Sequence, residues 1–177
     1  MPLRSSLTLP DRVRRPEVAA VWMKLRIHSV AGRMPDWVDT GVEEYSRRLP
    51  REMNPEWVTL PLGKRTRNVK PLAVMEEESD RLLQSVRASD HLVLLDVTGK
   101  GWTTPDLAQQ LKNWQQEGRD VALMIGGPHG VADRVRQRAG QRWSLSPLTL
   151  PHPLVRILLV EQLYRAWTIL QGHPYHK

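Results

Sequence analysis

The chain has 177 residues, a formal net charge of +7, 40% hydrophobic residues and no cysteine. This length fits one domain with a buried core. The lack of cysteine excludes disulfides, a thiolate nucleophile and Cys-ligated zinc or iron–sulfur sites. Because no uncharged apolar run reaches the length of about 18 residues that a membrane span needs, we expect a cytoplasmic globular protein.

The positive charge is distributed unevenly along the chain. Residues 1–22 carry a net charge of +2, residues 23–130 are neutral, and residues 131–177 carry +5. A basic region of this kind favours a polyanionic partner such as nucleic acid. A basic helix face that is only solvated gives the same pattern, so charge alone leaves both interpretations open.

The first 22 residues contain prolines and arginines but neither hydrophobic periodicity nor the apolar core of a signal peptide. We interpret residues 1–22 as a disordered leader and assign residues 23–177 to a single domain. An alternative hypothesis is that translation begins at Met23, which directly precedes a strand-like run. In that run Leu25, Ile27 and Val30 are expected to face inward. Mass spectrometry of the natively expressed protein distinguishes the two hypotheses.

Strands and helices alternate along the rest of the chain. Helical patterns are predicted over residues 35–49, 70–87, 104–118, 132–139 and 153–170. Strands are predicted over residues 24–31, 56–60, 91–96 and 120–125. Thr104 is expected to cap its helix, with Pro105 in the first turn. This alternation predicts a single-domain α/β fold with a mostly parallel sheet and helices on both faces.

The last predicted helix is apolar on nearly all sides and leaves only a narrow polar stripe. Such a helix must be buried on two sides. Its own sheet covers one side, and a second copy of the chain is the simplest partner for the other. The sequence therefore predicts a homodimer.

Two loops are candidates for a ligand site, because open α/β sheets bind ligands outside the carboxyl ends of their strands. The first, residues 126–130, contains three glycines, which let the backbone approach a ligand, but it matches neither the dinucleotide-binding motif nor the P-loop. Taken alone, the motif favours the alternative interpretation of a simple tight turn. The second, residues 145–153, contains three prolines among apolar or small residues. It is either a rigid loop suited to a flat heterocycle such as adenine or a structural crossover into the last helix.

These segments together resemble one protein family. The motifs follow one another in order from Met23 to Lys177. They include Met34-Pro35-Asp36-Trp37-Val38, Gly63-Lys64-Arg65, Leu95-Asp96, Gly118-Arg119-Asp120, Ile125-Gly126-Gly127-Pro128, Leu148 to Arg156, Glu161 to Ala166, and His173-Pro174-Tyr175-His176. They are similar to the bacterial ribosomal RNA large subunit methyltransferase H family, of the SPOUT class. His129 departs from the residue type expected at its position, and we assign it no essential role.

The resemblance implies a SPOUT-type domain with a deep trefoil knot over roughly residues 120–177, and a homodimer. It also implies methyl transfer from S-adenosylmethionine to N3 of a pseudouridine in helix 69 of 23S ribosomal RNA, within the assembled 70S ribosome. The cofactor contacts carried over to this sequence are Leu95, Gly126, Gly127, Leu145, Ser146, Pro147, Leu148, Thr149 and Leu150.

Methylation at N3 of a uracil ring needs a general base or a cation, because N3 is not nucleophilic until its proton is removed. The catalytic candidates are Arg165, Tyr175, His176 and His152. Arg165 either stabilises the anionic base or only forms an ion pair with Glu161, four residues earlier. Tyr175 is suited to stacking on a base, and His152, between prolines, is either a base or a structural residue. No histidine shows a metal-binding pattern, and we predict no metal.

Three basic clusters are candidate RNA contacts. They are Lys64 with Arg65 and Arg67, Arg47 with Arg48 and Arg51, and Arg134 with Arg136 and Arg138. Contacts to phosphates position a substrate without selecting it. Two alternatives therefore stay open: a SPOUT enzyme acting on transfer RNA, and a noncatalytic ribosome-assembly protein that binds RNA and has no cofactor pocket.

Overall fold

The computed structural model describes residues 23–176, except for the side chain of His176. The predicted leader, residues 1–22, lies outside the described residues. The strands are β1 (Leu25–Val30), β2 (Glu56–Leu60), β3 (His91–Gly101), β4 (Val121–Ile125) and β5 (Gln141–Ser144). The helices are α1 (Asp36–Ser46), α2 (Pro71–Ser85), α3 (Thr104–Glu117), α4 (Asp133–Arg138) and α5 (His152–Leu170), followed by a 3₁₀ turn at Pro174–His176.

The five strands form one sheet in the order β2-β1-β4-β3-β5, and every neighbouring pair is parallel. One core cluster lies between the sheet and α1, α3 and α5, and a second lies on the opposite face under α2 and α4. All residues of β1 and of the central strand β4 are buried, as expected for parallel strands that are covered on both faces. The predicted α/β fold with helices on both faces of a parallel sheet is confirmed. Across residues 23–176, no helix is long and apolar enough to cross a membrane.

Thr103, and not Thr104, is the N-cap of α3. The Thr103 hydroxyl accepts a hydrogen bond from the backbone N–H of Asp106, and the Asp106 carboxylate accepts one from the Thr103 N–H. The prediction of Thr104 was wrong because a proline is tolerated at either of the first two helical positions. The Thr104 hydroxyl instead donates to Oε1 of Gln162 at 2.8 Å, which links α3 to α5.

Strand β5 was not predicted, and β3 is longer than predicted. After an irregular stretch, Lys100 and Gly101 at the end of β3 pair with Trp143 and Ser144 of β5. These residues are about 40 positions apart in the chain, and local patterns do not show pairing at that separation. Gly99 permits the close approach, since a Cβ there would lie 2.7 Å from the carbonyl carbon of Arg142.

Helix α5 packs against α1 and α3 and buries its middle section, including Leu159 and Leu163. Two other leucines, Leu154 and Leu158, are 42% and 37% exposed. Their spacing of four residues places them on the same face of the helix. A single copy of the chain therefore leaves part of this helix uncovered.

Candidate active site

A cavity of about 560 Å³ opens at the carboxyl ends of β4 and β5, level with residues 95–97 of β3, where the pairing of β3 with β4 ends. Most of its lining comes from three segments: residues 95–97 of β3, the turn after β4, and the loop that joins β5 to α5. A cavity of this size suits a small-molecule ligand, since such pockets range from roughly 300 to 1,000 Å³.

Most of the predicted cofactor residues line this one cavity. The lining residues among them are Leu95, Gly126, Gly127, Leu145, Ser146, Leu148, Thr149 and Leu150. Pro147 is exposed and is not part of the lining. The loop at 145–151 thus forms a cavity wall and also leads into α5, and its suitability for a flat heterocycle stays a prediction.

The turn after β4 has no room for side chains at its two leading glycines. A Cβ on Gly126 would lie 2.5 Å from Cγ1 of Val131, and one on Gly127 would lie 2.1 Å from Oε2 of Glu78. Gly130 adopts a positive φ of 80°, and its N–H donates to the Gly127 carbonyl at 2.9 Å. The glycines therefore make a tight turn whose backbone is presented to the cavity.

His152 lies in the first turn of α5 and holds this turn in place. Its Nε2 bonds to the carbonyl oxygen of Gly126 at 2.7 Å, and since a carbonyl only accepts, Nε2 carries the proton. Burial lowers the pKa of His152, and the charge of Arg156 lowers it further, so the ring is neutral at pH 7. Nδ1 is buried and has no partner among the described residues.

Asp96, at the edge of the cavity, is an ionised carboxylate. Its side chain is 7% exposed and accepts hydrogen bonds from Thr98, Arg136 and Arg142. Burial alone would raise the pKa of Asp96, but the bonds from Thr98 and the charges of the two arginines outweigh burial and lower the pKa.

A second cluster of predicted catalytic residues lies in the C-terminal half of α5. Nε and Nη2 of Arg165 donate to Oε1 of Glu161 at 2.9 and 2.7 Å, which confirms the predicted ion pair. Nη1 of Arg165 donates to the Tyr175 carbonyl at 3.2 Å, and the guanidinium lies 4.8 Å from the centre of the Tyr175 ring. The Tyr175 ring in turn packs against Tyr164 at 4.7 Å between centroids.

Within one chain, the cluster of Arg165 and Tyr175 lies far from the cavity that His152 lines. Arg165 follows His152 by thirteen residues on the same continuous helix, which at 1.5 Å per residue is about 20 Å along the axis. The tail that carries Tyr175 packs beside Arg165 rather than over the cavity of its own chain. The catalytic roles of these residues, and of His176, stay predictions.

The family model described as "Predicted SPOUT methyltransferase" matches residues 23–176. This chain belongs to the SPOUT methyltransferase family. The methyltransferase is 53% identical over 155 residues to the ribosomal RNA large subunit methyltransferase H of Hahella chejuensis (strain KCTC 2396), covering 88% of this chain and 99% of that relative. The resemblance to that family is confirmed. A crystal structure of a protein from Neisseria gonorrhoeae, described as a methylase family protein, is also similar, with 15% identity, a TM-score of 0.46 and 85% of each chain covered.

The predicted basic clusters of this methyltransferase differ in how many of their side chains form ion pairs with acidic residues. Arg134 is paired with Glu76 and Asp80, and Arg136 with Asp96 and Asp133. Arg47 and Arg48 are paired with Glu44. Lys64 and Arg67 are exposed and form no ion pair with any residue between 23 and 176. The loop at 63–68 is therefore the predicted cluster with the most freely available charge.

Several residues of the methyltransferase cavity were not predicted from the sequence. Asp96 and Trp143 line it, and so does Arg136, which was expected to belong to an RNA-binding cluster. The signal for Asp96 was present, since an acid directly follows a buried strand. Arg136 and Trp143 reach the cavity because of where α4 and β5 pack in the fold, and local sequence patterns do not predict that packing. Over residues 23–176, no group of three His, Asp or Glu side chains is arranged to hold a metal ion.

Proposed function

We propose that this methyltransferase transfers a methyl group from S-adenosylmethionine to N3 of a pseudouridine in helix 69 of 23S ribosomal RNA, in the assembled ribosome. The observation that carries the proposal is the cavity beside the middle of β3 and at the ends of β4 and β5, lined by the segments expected to bind the cofactor. The name of the Hahella relative supports the ribosomal RNA of the large subunit as the substrate. Action on the ribosome would place the protein in the cytoplasm.

The cavity fits S-adenosylmethionine in size and in the groups it presents. Gly126 and Gly127 line the cavity with backbone, and packing against Val131 and Glu78 excludes a side chain at either position. The 145–150 loop offers backbone groups in an apolar setting, which suits the adenine ring. When bound, the cofactor supplies an activated methyl group on a sulfonium.

The chain's own residues must orient the uracil ring and stabilise it without its N3 proton. Arg165 is the residue we assign to the developing negative charge, because its guanidinium is held by Glu161 and is only partly buried. Tyr175 is held beside it and supplies an aromatic surface for a base. His152 positions the glycine turn, and His176 is retained as a candidate base.

These roles require a second copy of the chain, because Arg165 lies about 20 Å along α5 from the cavity residue His152 of the same chain. The exposed apolar side chains support a homodimer: Leu154 and Leu158 on α5, and Trp37 on α1, which is 54% exposed. We therefore propose a homodimer in which the Arg165 cluster of one protomer completes the cavity of its partner.

The proposed fold includes a trefoil knot over roughly residues 120–177. The strand order supports it. The chain passes from β4 to β5 on the far side of β3, and then returns through the 145–151 loop to α5, which packs with α1 and α3.

Labelled S-adenosylmethionine tests the function directly. The enzyme is incubated in parallel with intact 70S ribosomes that lack the modification, with free 23S RNA and with transfer RNA. We expect label on the ribosomes, at N3 of a helix 69 pseudouridine. Label on transfer RNA alone would overturn the substrate, and an absence of heat on calorimetric titration with the cofactor would support a noncatalytic RNA-binding protein.

A further inference from the structure

Glu78 is a buried carboxylate next to the candidate cofactor turn, and the function proposed above gives it no role. It lies on α2, on the face of the sheet opposite α5, and it is 1% exposed. Burying a charged group is costly unless it is paired and hydrogen-bonded. The contacts of its two oxygens therefore indicate what this carboxylate does.

Two hydrogen bonds hold one of the two carboxylate oxygens of Glu78 in place. Oε1 accepts a hydrogen bond from the backbone N–H of Gly63 at 2.8 Å and another from Nη2 of Arg65 at 3.0 Å. Arg65 also balances the negative charge. Because two donors fix Oε1, the carboxylate cannot swing away as a free side chain would.

The other oxygen faces the glycine turn. Oε2 is buried and has no hydrogen-bond partner in the described part of the chain. A Cβ built on Gly127 would lie 2.1 Å from this oxygen and 3.0 Å from the carboxyl carbon. The carboxylate thus packs directly against the backbone of Gly127, and it leaves an unsatisfied acceptor there, which a stable interior normally avoids.

Helix α2 also fixes the far end of the same segment. Ser79, the next residue of α2, accepts a hydrogen bond from the backbone N–H of Ala132 at 2.9 Å. The negative charge of Glu78 also acts on His152. Burial lowers the pKa of His152, and Glu78 opposes part of that shift. The turn is therefore held between His152 on one side and α2 on the other.

We propose that Glu78 is a positioning residue that holds the Gly126–Gly127 turn in the form that binds the methyl donor. This inference rests on the proposed function, because it assigns the cavity to S-adenosylmethionine. The unpaired Oε2 is the acceptor available to the turn, and the bonds to Gly63 and Arg65 keep it in place.

The first test compares Glu78→Gln with Glu77→Gln. Glu77 is the preceding residue, but its side chain is 50% exposed and pairs only with Arg81. Calorimetric titration with S-adenosylhomocysteine, the unreactive product, should show a dissociation constant raised by about tenfold for Glu78→Gln, because the amide loses the charge that strengthens the bond from Arg65 and so holds its place against Gly127 less firmly, and unchanged for Glu77→Gln. A melting curve recorded beside each titration reports folding. Wild-type affinity in a folded Glu78→Gln would overturn the inference and leave the proposed function standing, whereas a wild-type chain that binds no ligand would overturn the proposed function itself.

A second pair of variants gives an answer even where Glu78→Gln is poorly folded. Gly127→Ala places its methyl group against Oε2, so its affinity for S-adenosylhomocysteine should fall. Adding Glu78→Asp, whose carboxylate is one methylene shorter, should recover part of that affinity. A double variant that binds no better than Gly127→Ala would show that Glu78 does not set the position of the turn.

Discussion

His152 donates a hydrogen bond from Nε2 to the carbonyl oxygen of Gly126 over 2.7 Å, so the first turn of α5 fixes the glycine turn that follows β4. His152→Ala removes this bond, and we expect the affinity for S-adenosylhomocysteine to fall by about fivefold, in line with one buried neutral hydrogen bond. His129→Ala is the matched control, because His129 lies in the same turn but is exposed. Equal affinities of the two variants in calorimetric titration would contradict the positioning role.

One buried histidine, His28, and one half-buried histidine, His152, should make stability depend on pH. Burial lowers the pKa of both His28 and His152 below the ordinary value of 6.5. Between the lowered folded pKa and 6.5 the unfolded chain binds more protons, so these two groups lower the free energy of unfolding as the pH falls below about 6.5 and add no pH dependence well above it. Urea unfolding at a series of pH values measures this dependence.

His28→Gln separates the contribution of one of these groups. Nδ1 of His28 donates to the Ser85 hydroxyl, which itself donates to the Leu82 carbonyl. Arg26 lowers the pKa of His28 in addition to burial, and Asp90 opposes it. The variant should have a smaller loss of stability between about pH 6.5 and 5.5 than the wild-type chain. The same slope in both proteins would show that His28 is not the source.

Gly99 and Gly101 form a matched pair for the contact between β3 and β5. A Cβ on Gly99 would lie 2.7 to 2.8 Å from backbone atoms of Arg142 and Trp143, whereas a Cβ on Gly101 would meet nothing within 4 Å. Gly99→Ala should therefore lower the free energy of unfolding by about 1–3 kcal/mol, and Gly101→Ala should change it by less than about 0.5 kcal/mol. Urea denaturation of the two variants checks the difference. Equal free energies of unfolding for the two variants would show that the contact between β3 and β5 at Gly99 tolerates a side chain.

The sequence predicted most helices and strands of this fold, because hydrophobic periodicity and caps are local properties. It also predicted most of the segments that line the cavity, since strand ends on one edge of a parallel sheet lie close together, but it missed Asp96, Arg136 and Trp143. It did not predict β5, whose pairing with β3 is long-range. For the same reason it missed Glu78, which follows two other glutamates on an amphipathic helix and has no distinguishing local pattern. Glu78 is buried because α2 packs this side of the helix against the sheet.

Arg165→Ala should abolish methylation and leave binding of the methyl donor largely intact. The side chain contacts Glu161 and Tyr175, and it is not part of the cavity lining. Its loss removes the cation assigned to the N3 anion without touching the residues assigned to the cofactor. Arg87→Ala, which loses an exposed ion pair with Asp120 and belongs to none of the candidate RNA clusters, is the control. Methylation and calorimetric binding are measured on the same preparations, and an active Arg165→Ala would remove the residue from the mechanism.

The separation of Arg165 from the cavity predicts complementation between two inactive variants. One is Arg165→Ala, and the other is Gly126→Val, whose side chain would meet Val131 in the cofactor turn. If Arg165 serves the partner's cavity, a mixed dimer has one intact site, formed by the cavity of one protomer and the Arg165 of the other. Random exchange in an equal mixture should then restore about a quarter of wild-type activity per protomer. If Arg165 serves its own cavity, each protomer of the mixed dimer lacks one component and the mixture stays inactive. Leu158→Glu, on the exposed face of α5, should prevent dimerisation in light scattering, and when added to both variants it should abolish the complementation.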